Sequence, residues 1–195
     1  MKNDPNEILT TYTHRHSLIS KNRTYYIGSH ALSWRDDSES EISLDYIDIQ
    51  KVEAQFAPSR VQSNRYLLRL ISKQKRKTDI TNTTYKGIGD FEELNQTYIP
   101  FVTQLHRIIT EKNPNTLFTK GSSKAGYIFS IFMLIILFVI SVVAFLFFLI
   151  SGVIWVAAIK LMIIILLLPR LIRYIKRNKP GSYDPLNLPA DILPN

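Results

Sequence analysis

From Ala125 to Pro169 the chain carries a single charged residue, Lys160. One helical bilayer crossing takes ~20 apolar residues, so this run is long enough for two. Ser151-Gly152 is the only break near its middle. The expected helices are therefore 125–149 and 153–174, together a transmembrane hairpin over 125–174. Lys120 and Lys124 precede it, and Arg170, Arg173, Lys176, Arg177 and Lys179 follow. Both flanks are basic and the connection is uncharged, so the positive-inside bias puts the N- and C-termini in the cytoplasm. The nearly all-apolar turn, 147–153, also fits a re-entrant hairpin that leaves by the leaflet it entered. Lys160 is costly in hydrocarbon, ~2.5–3.5 kcal/mol at a helix centre. It reads either as a contact for a partner helix or lipid head group, or as a lysine snorkelling along its own stem.

The rest of the chain has a different balance. Residues 1–120 hold 17 basic and 14 acidic side chains, and there is no cysteine in the chain. Disulfide frameworks, thiol nucleophiles and thiolate metal sites are excluded. The N-terminus, MKNDPNEILTTYTHRH, has no apolar run of signal-peptide length, which implies a non-exported domain. The expected organisation is a cytoplasmic domain over 1–115, a linker over 116–124, the hairpin over 125–174, and a basic then proline-rich tail over 175–195.

Short apolar-rich runs dominate residues 8–83. They are Leu9–Ile19, Arg23–Ile27, Ala31–Arg35, Glu41–Leu44, Ile47–Phe56, Tyr66–Ile71 and Thr78–Thr84. Turn signals separate them at Gly28-Ser29, Asp36-Asp37-Ser38, Pro58-Ser59 and Lys73–Lys77. Six or seven strands at this spacing predict a small antiparallel sheet or barrel. The period then changes. Phe91, Leu94, Tyr98, Phe101, Leu105 and Ile108 step by three and four, one apolar stripe on an amphipathic helix over about 90–111. Asp90, Glu92 and Glu93 suit its N-terminus, and Pro100 lies off the stripe. Strands closed by one C-terminal helix make an α+β domain.

The segments TYYIGSHALSW, EISLDYIDIQKVEAQF, RYLLRLIS and FEELNQTYIPFVTQLHRII carry a resemblance. Over about residues 10–112 their order resembles a pleckstrin-homology-like domain of the bacterial membrane-associated (bPH, GRAM-like) type. With the hairpin, the chain resembles small proteobacterial inner-membrane proteins. The resemblance implies a small antiparallel sheet or barrel closed by one C-terminal amphipathic helix, with basic residues near early strand turns available to phosphate groups.

Lys73, Lys75, Arg76 and Lys77 form the densest basic cluster of this half, and Lys21 and Arg23 a smaller one. Beside an anionic leaflet each contributes ~1 kcal/mol, so these six are the expected anionic-phospholipid contacts. The plainer reading, which comes ahead of lipid contact, is a solvated hairpin tip. His14 and His16 share one face of a strand, a spacing that can bind zinc or copper, but no acid or cysteine is close in sequence. No metal or cofactor is expected. Nucleic acid is not an expected partner, because no recognition helix or aromatic platform stands out. No nucleophile elbow, phosphate loop or HExxH is present, so the chain reads as non-enzymatic.

The tail is the most distinctive segment. Pro180, Pro185, Pro189 and Pro194 recur every four or five residues with apolar residues between them. Prolines keep a chain extended and lower its ordering cost on binding. Tyr183, Asp184, Pro185, Leu186, Leu188, Pro189, Ile192 and Leu193, with Lys160, are the expected partner-binding residues, the tail docking on its own domain or on a neighbour. The leading expectation is an accessory or scaffold subunit among other integral membrane proteins of a bacterial inner membrane. The alternative is a membrane-anchored module that senses anionic head groups. A third and less favoured reading is an enzyme acting on a membrane substrate, whose sign would be a cleft gathering His14, His16 and an acid such as Asp36 or Asp37.

Overall fold

The computed structural model describes residues 9–17, 19–36 and 41–194. The chain divides into two units, Met1–Gly121 with Gly181–Asn195, and Ser122–Pro180. The first is α+β and the second is a pair of apolar helices.

The first unit begins with four strands, β1 (Thr10–Arg15), β2 (Asn22–Ile27), β3 (Ala31–Asp36) and β4 (Glu41–Asp45), paired in chain order as an antiparallel sheet. Alternation decides its buried face. Tyr12, Tyr25, Ile27, Leu32 and Trp34 are buried while their sequence neighbours are more exposed. The Gly28 turn is tight, with its N–H donating to the Ala31 carbonyl at 3.1 Å. A Cβ there would meet that oxygen at 3.2 Å.

A 3-10 turn at Tyr46–Asp48 leads into β5 (Ile49–Phe56), β6 (Tyr66–Ser72) and β7 (Lys77–Thr81), an antiparallel meander. A small hairpin follows, β8 (Thr83–Gly87) and β9 (Asp90–Glu93), turning at Gly89 with φ +75°. Helix α1 (Asn95–Lys112) then buries Tyr98, Phe101, Val102, Leu105, Ile108 and Ile109. Strand β10 (Leu117–Lys120) pairs parallel with β5, and β11 (Gly181–Ser182) pairs antiparallel with β10. The second sheet therefore has the order β11-β10-β5-β6-β7.

The two sheets meet along β7. The Tyr12 hydroxyl donates to the Thr81 carbonyl and the Tyr25 hydroxyl to that of Asp79, at 2.5 and 3.1 Å. Tyr12 and Tyr25 are cross-strand neighbours. Their two targets lie along a single strand, so β7 runs across β1 and β2. Among the described residues its outer edge has no strand partner, and two of its carbonyls accept from phenols.

Two expectations change. Residues 90–93 form β9, and the helix starts at Asn95. Phe91 fits the apolar stripe but packs on Tyr85 across the hairpin, ring centroids 5.4 Å apart. Within the expected linker over 116–124, Leu117–Lys120 make a strand, anchored by buried Phe118. Of the expected turn at 36–38 only Asp36 is described. Asp37 and Glu39 lie outside the described residues.

In the second unit, α2 (Lys124–Ile150) and α3 (Ile154–Arg177) are both long and apolar enough to cross a membrane. Ser123 caps α2, accepting from the Gly126 N–H at 3.1 Å. Gly152, at φ +74°, makes the turn between the helices. The Ser122 N–H donates to the Asn178 carbonyl at 3.1 Å, which joins the two ends of this unit.

Candidate functional site

The register of the four-stranded sheet arranges its inner face in rows. Ile27, Leu32 and Leu44 are aligned across β2, β3 and β4, an apolar row. Tyr12, Tyr25 and Trp34 form the next row, which is aromatic. His14, Arg23 and Asp36 form the third, and every member is ionisable. The face thus changes from core to polar site within four residues of strand.

That polar row lines a cleft of about 500 Å³, together with His16, Ile19, Ser20 and Lys21 of the β1–β2 turn and Lys77 and Asp79 of β7. Three cations converge there, Lys21, Arg23 and Lys77. Two carboxylates share the lining. Asp79 is engaged by Arg69 through both oxygens, at 2.7 and 2.8 Å, so part of its charge is already balanced. Arg23 Nη1 donates to the Tyr25 hydroxyl at 3.4 Å, which turns the guanidinium along the sheet face.

His14 forms the floor. It is 3% exposed, and neither ring nitrogen has a hydrogen-bond partner among the described residues. Its ring stacks on Tyr25 at 5.5 Å with a 12° tilt. Burial, then the nearby His16, Arg23 and Arg65, hold its pKa down to about 3. A neutral imidazole offers one donor and one acceptor. Leaving both unmet in a buried place costs ~1–3 kcal/mol per group, which a hydrogen-bonding group or water in the cleft would offset. Burial also lowers the pKa of His16, whose Nε2 lies 3.4 Å from Arg65 Nη2.

A second cleft of about 620 Å³ lies on the other side of Lys77, between β3–β4 and the β6–β7 turn. Trp34, Asp45, Asp48, Ser72, Arg76 and Lys77 are among its lining residues. The Trp34 indole N–H is buried there and has no partner among the described residues.

The six expected lipid contacts thus separate. Lys21, Arg23 and Lys77 share the first cleft, and Arg76 joins Lys77 on the second. Lys73 reaches Asp48 at 3.7 Å. Lys75 occupies the left-handed position of the β6–β7 turn, φ +61°, and lines neither cleft. His14, His16 and Asp36 do gather in one cleft, but among the described residues no three His, Asp or Glu side chains could hold a metal ion.

The tail docks on its own domain. After β11, the Tyr183 hydroxyl lies 2.7 Å from His106 Nε2. The same histidine's Nδ1 is 2.8 Å from the Val102 carbonyl. That fixes its roles: Nδ1–H donates to the carbonyl and Nε2 accepts from tyrosine. Burial holds the pKa of His106 down to about 4, which keeps this tautomer neutral. Lys120 Nζ pairs with Asp191 at 2.6 Å, and Ile192 is 4% exposed. Tyr183 and Ile192 therefore face this chain, not a neighbour. Asp184 accepts from the Leu186 N–H at 3.0 Å, and Pro185, Leu188, Pro189 and Leu193 are half-buried. Leu186 alone of the expected apolar contacts is mostly outward, 68% exposed. Lys160 is exposed on α3.

Comparison with known proteins adds no assignment: no protein-family model and no curated protein matches the chain.

Proposed function

We propose that this chain is a membrane-anchored binding module whose β-rich unit holds an anionic head group, a phosphate ester, between the β1–β2 turn and β7. One observation carries the reading: Lys21, Arg23 and Lys77 converge on a cleft floored by a buried imidazole with no partner among the described residues. A phosphate brings negative charge for the three cations and oxygens that accept from Arg23 and from a His14 N–H. Binding is favoured over catalysis because His14, held near 3, is far from the pKa near 7 that general acid–base work favours. The reading needs no metal, cofactor or nucleic acid. The basic flanks of the two helices support a bacterial inner membrane with both chain ends in the cytoplasm. Four antiparallel strands, three more, a two-strand hairpin and a helix, in that order, support the pleckstrin-homology-like reading.

The test is lipid retention by the full chain purified in neutral detergent, read by native mass spectrometry. Anionic phospholipid is expected to be kept in preference to zwitterionic lipid, and Arg23→Glu with Lys77→Glu is expected to abolish the preference. Equal retention of both lipids by the parent chain refutes the reading.

A second reading, an accessory subunit of a larger membrane assembly, is favoured by Lys160. It is exposed on α3, and residues 122–180 contain no Asp or Glu. The helical unit therefore holds no counter-charge for it, and a second copy's hairpin cannot supply one. Stoichiometric co-purification with another membrane protein in mild detergent supports this reading, and recovery as a lone monomer counts against it.

A further inference from the structure

We infer that the β1–β2 and β8–β9 turns form a second membrane contact, with Ile19 and Ile88 at their tips seated in the bilayer interface. Ile19 is 95% exposed and Ile88 is 93% exposed. Turn tips normally carry Gly, Asn, Asp, Ser or Pro, whose conformations and hydrogen bonding suit them. A branched apolar side chain gains nothing there from the fold. One exposed isoleucine is ordinary on a protein surface. These two are set apart by where they lie.

The Tyr12 hydroxyl meets the Thr81 carbonyl, and the Arg15 N–H meets Thr84 Oγ1 at 2.9 Å, each contact spanning 69 positions. The Arg15 guanidinium sits 5.3 Å over the Tyr85 ring. The C-terminal end of β1 therefore lies beside β8. Ile19 and Ile88 sit on the turns that follow these two neighbouring strands. Lys21 follows Ile19 by two positions and is exposed, and Lys86 precedes Ile88 by two. At the β8–β9 tip Lys86 is paired with Glu92 at 2.7 Å, so Lys21 is the cation that stands beside the apolar tips, the pairing that suits an acyl boundary overlain by phosphates.

The position in the unit agrees. Phe56, Tyr66, Thr81, Lys120 and Gly181 lie at one end of the five-stranded sheet. The β8–β9 hairpin begins at that end. Lys120 and Gly181 mark where the chain leaves for the two apolar helices and returns from them. The base of the β8–β9 hairpin accordingly belongs to the sheet end at which the chain leaves this unit and returns to it. The inference does not require the cleft to hold a head group.

The chain has no cysteine, so single labels are unambiguous. Ile19→Cys, Ile88→Cys and Glu111→Cys, each in the full chain in lipid nanodiscs, would carry a polarity-sensitive fluorophore. Glu111 is the far-end control, because α1 starts beside Asn82 and its 18 residues run ~27 Å away from it. Lipid-borne nitroxide is expected to quench the labels at 19 and 88 at least threefold more than at 111, in zwitterionic as well as anionic discs. Equal quenching at all three positions overturns the inference, as does shielding of the tips that requires an added protein. Tip quenching that survives Arg23→Glu with Lys77→Glu separates this contact from the head-group reading.

Discussion

Lowering the pH from 7.5 to 5 is expected to destabilise the β-rich unit by about 4 kcal/mol, through two histidines. His14 and His106 are 3% and 0% exposed, and burial holds their pKa values near 3 and 4. In the unfolded chain both return to about 6.5. The unfolded state therefore binds protons that the folded state refuses. Stability is complete above pH 6.5 and falls below it, levelling near pH 4 for His106 and near 3 for His14. At pH 5 each ring is 1.5 units under its unfolded value. At ~1.4 kcal/mol per unit this is about 2 kcal/mol for each. Urea unfolding of the full chain in detergent reads it, with Trp34 fluorescence as the reporter in a Trp155→Phe background. His14→Asn or His106→Gln should each remove about 2 kcal/mol of the pH dependence, the remainder including His16, whose pKa burial also lowers. A double variant with the parent's full dependence would refute the reasoning.

Other outcomes follow from particular contacts. Asn82→Ala is expected to cost about 3 kcal/mol in a urea titration, because the buried side chain accepts from the Tyr66 N–H and donates to the Asn64 carbonyl and to Asn95. Tyr183→Phe removes the hydroxyl from His106 Nε2 and should lose ~1 kcal/mol, with faster proteolysis of the tail. If the hairpin enters and leaves on one side, cysteines placed at Ser122 and Lys179 react with an impermeant maleimide from the same face of sealed vesicles. Opposite-face labelling would sink that topology.

The pair of apolar helices was legible because its signal is local. Forty-five residues with one charge need no partner to be recognised, and the helix ends fall within three residues of the expected ones. The strand runs up to Thr81 were legible for the same reason, through alternation and turn residues. What escaped was set by distant pairing. LFTK has no strand signature of its own, and it becomes β10 only against β5, which lies more than sixty positions earlier. Residues 90–93 matched a helical stripe because Phe91 lands on the period, yet Tyr85 across the hairpin decides its place. The cleft depends on register. His14, Arg23 and Asp36 become neighbours only once β1, β2 and β3 are aligned. The densest basic run is itself a turn, so its side chains diverge, and only Lys77 reaches the cleft that Lys21 and Arg23 line.

The most direct test of the cleft as an anion site is histidine NMR. The chain has four histidines, so selective ¹⁵N labelling yields four imidazoles to assign. Titration of the full chain in neutral detergent with glycerol phosphate is expected to move the ring nitrogens of His14 and His16 while those of His30 and His106 stay in place. Four unmoved rings, or four that move together, would contradict the account.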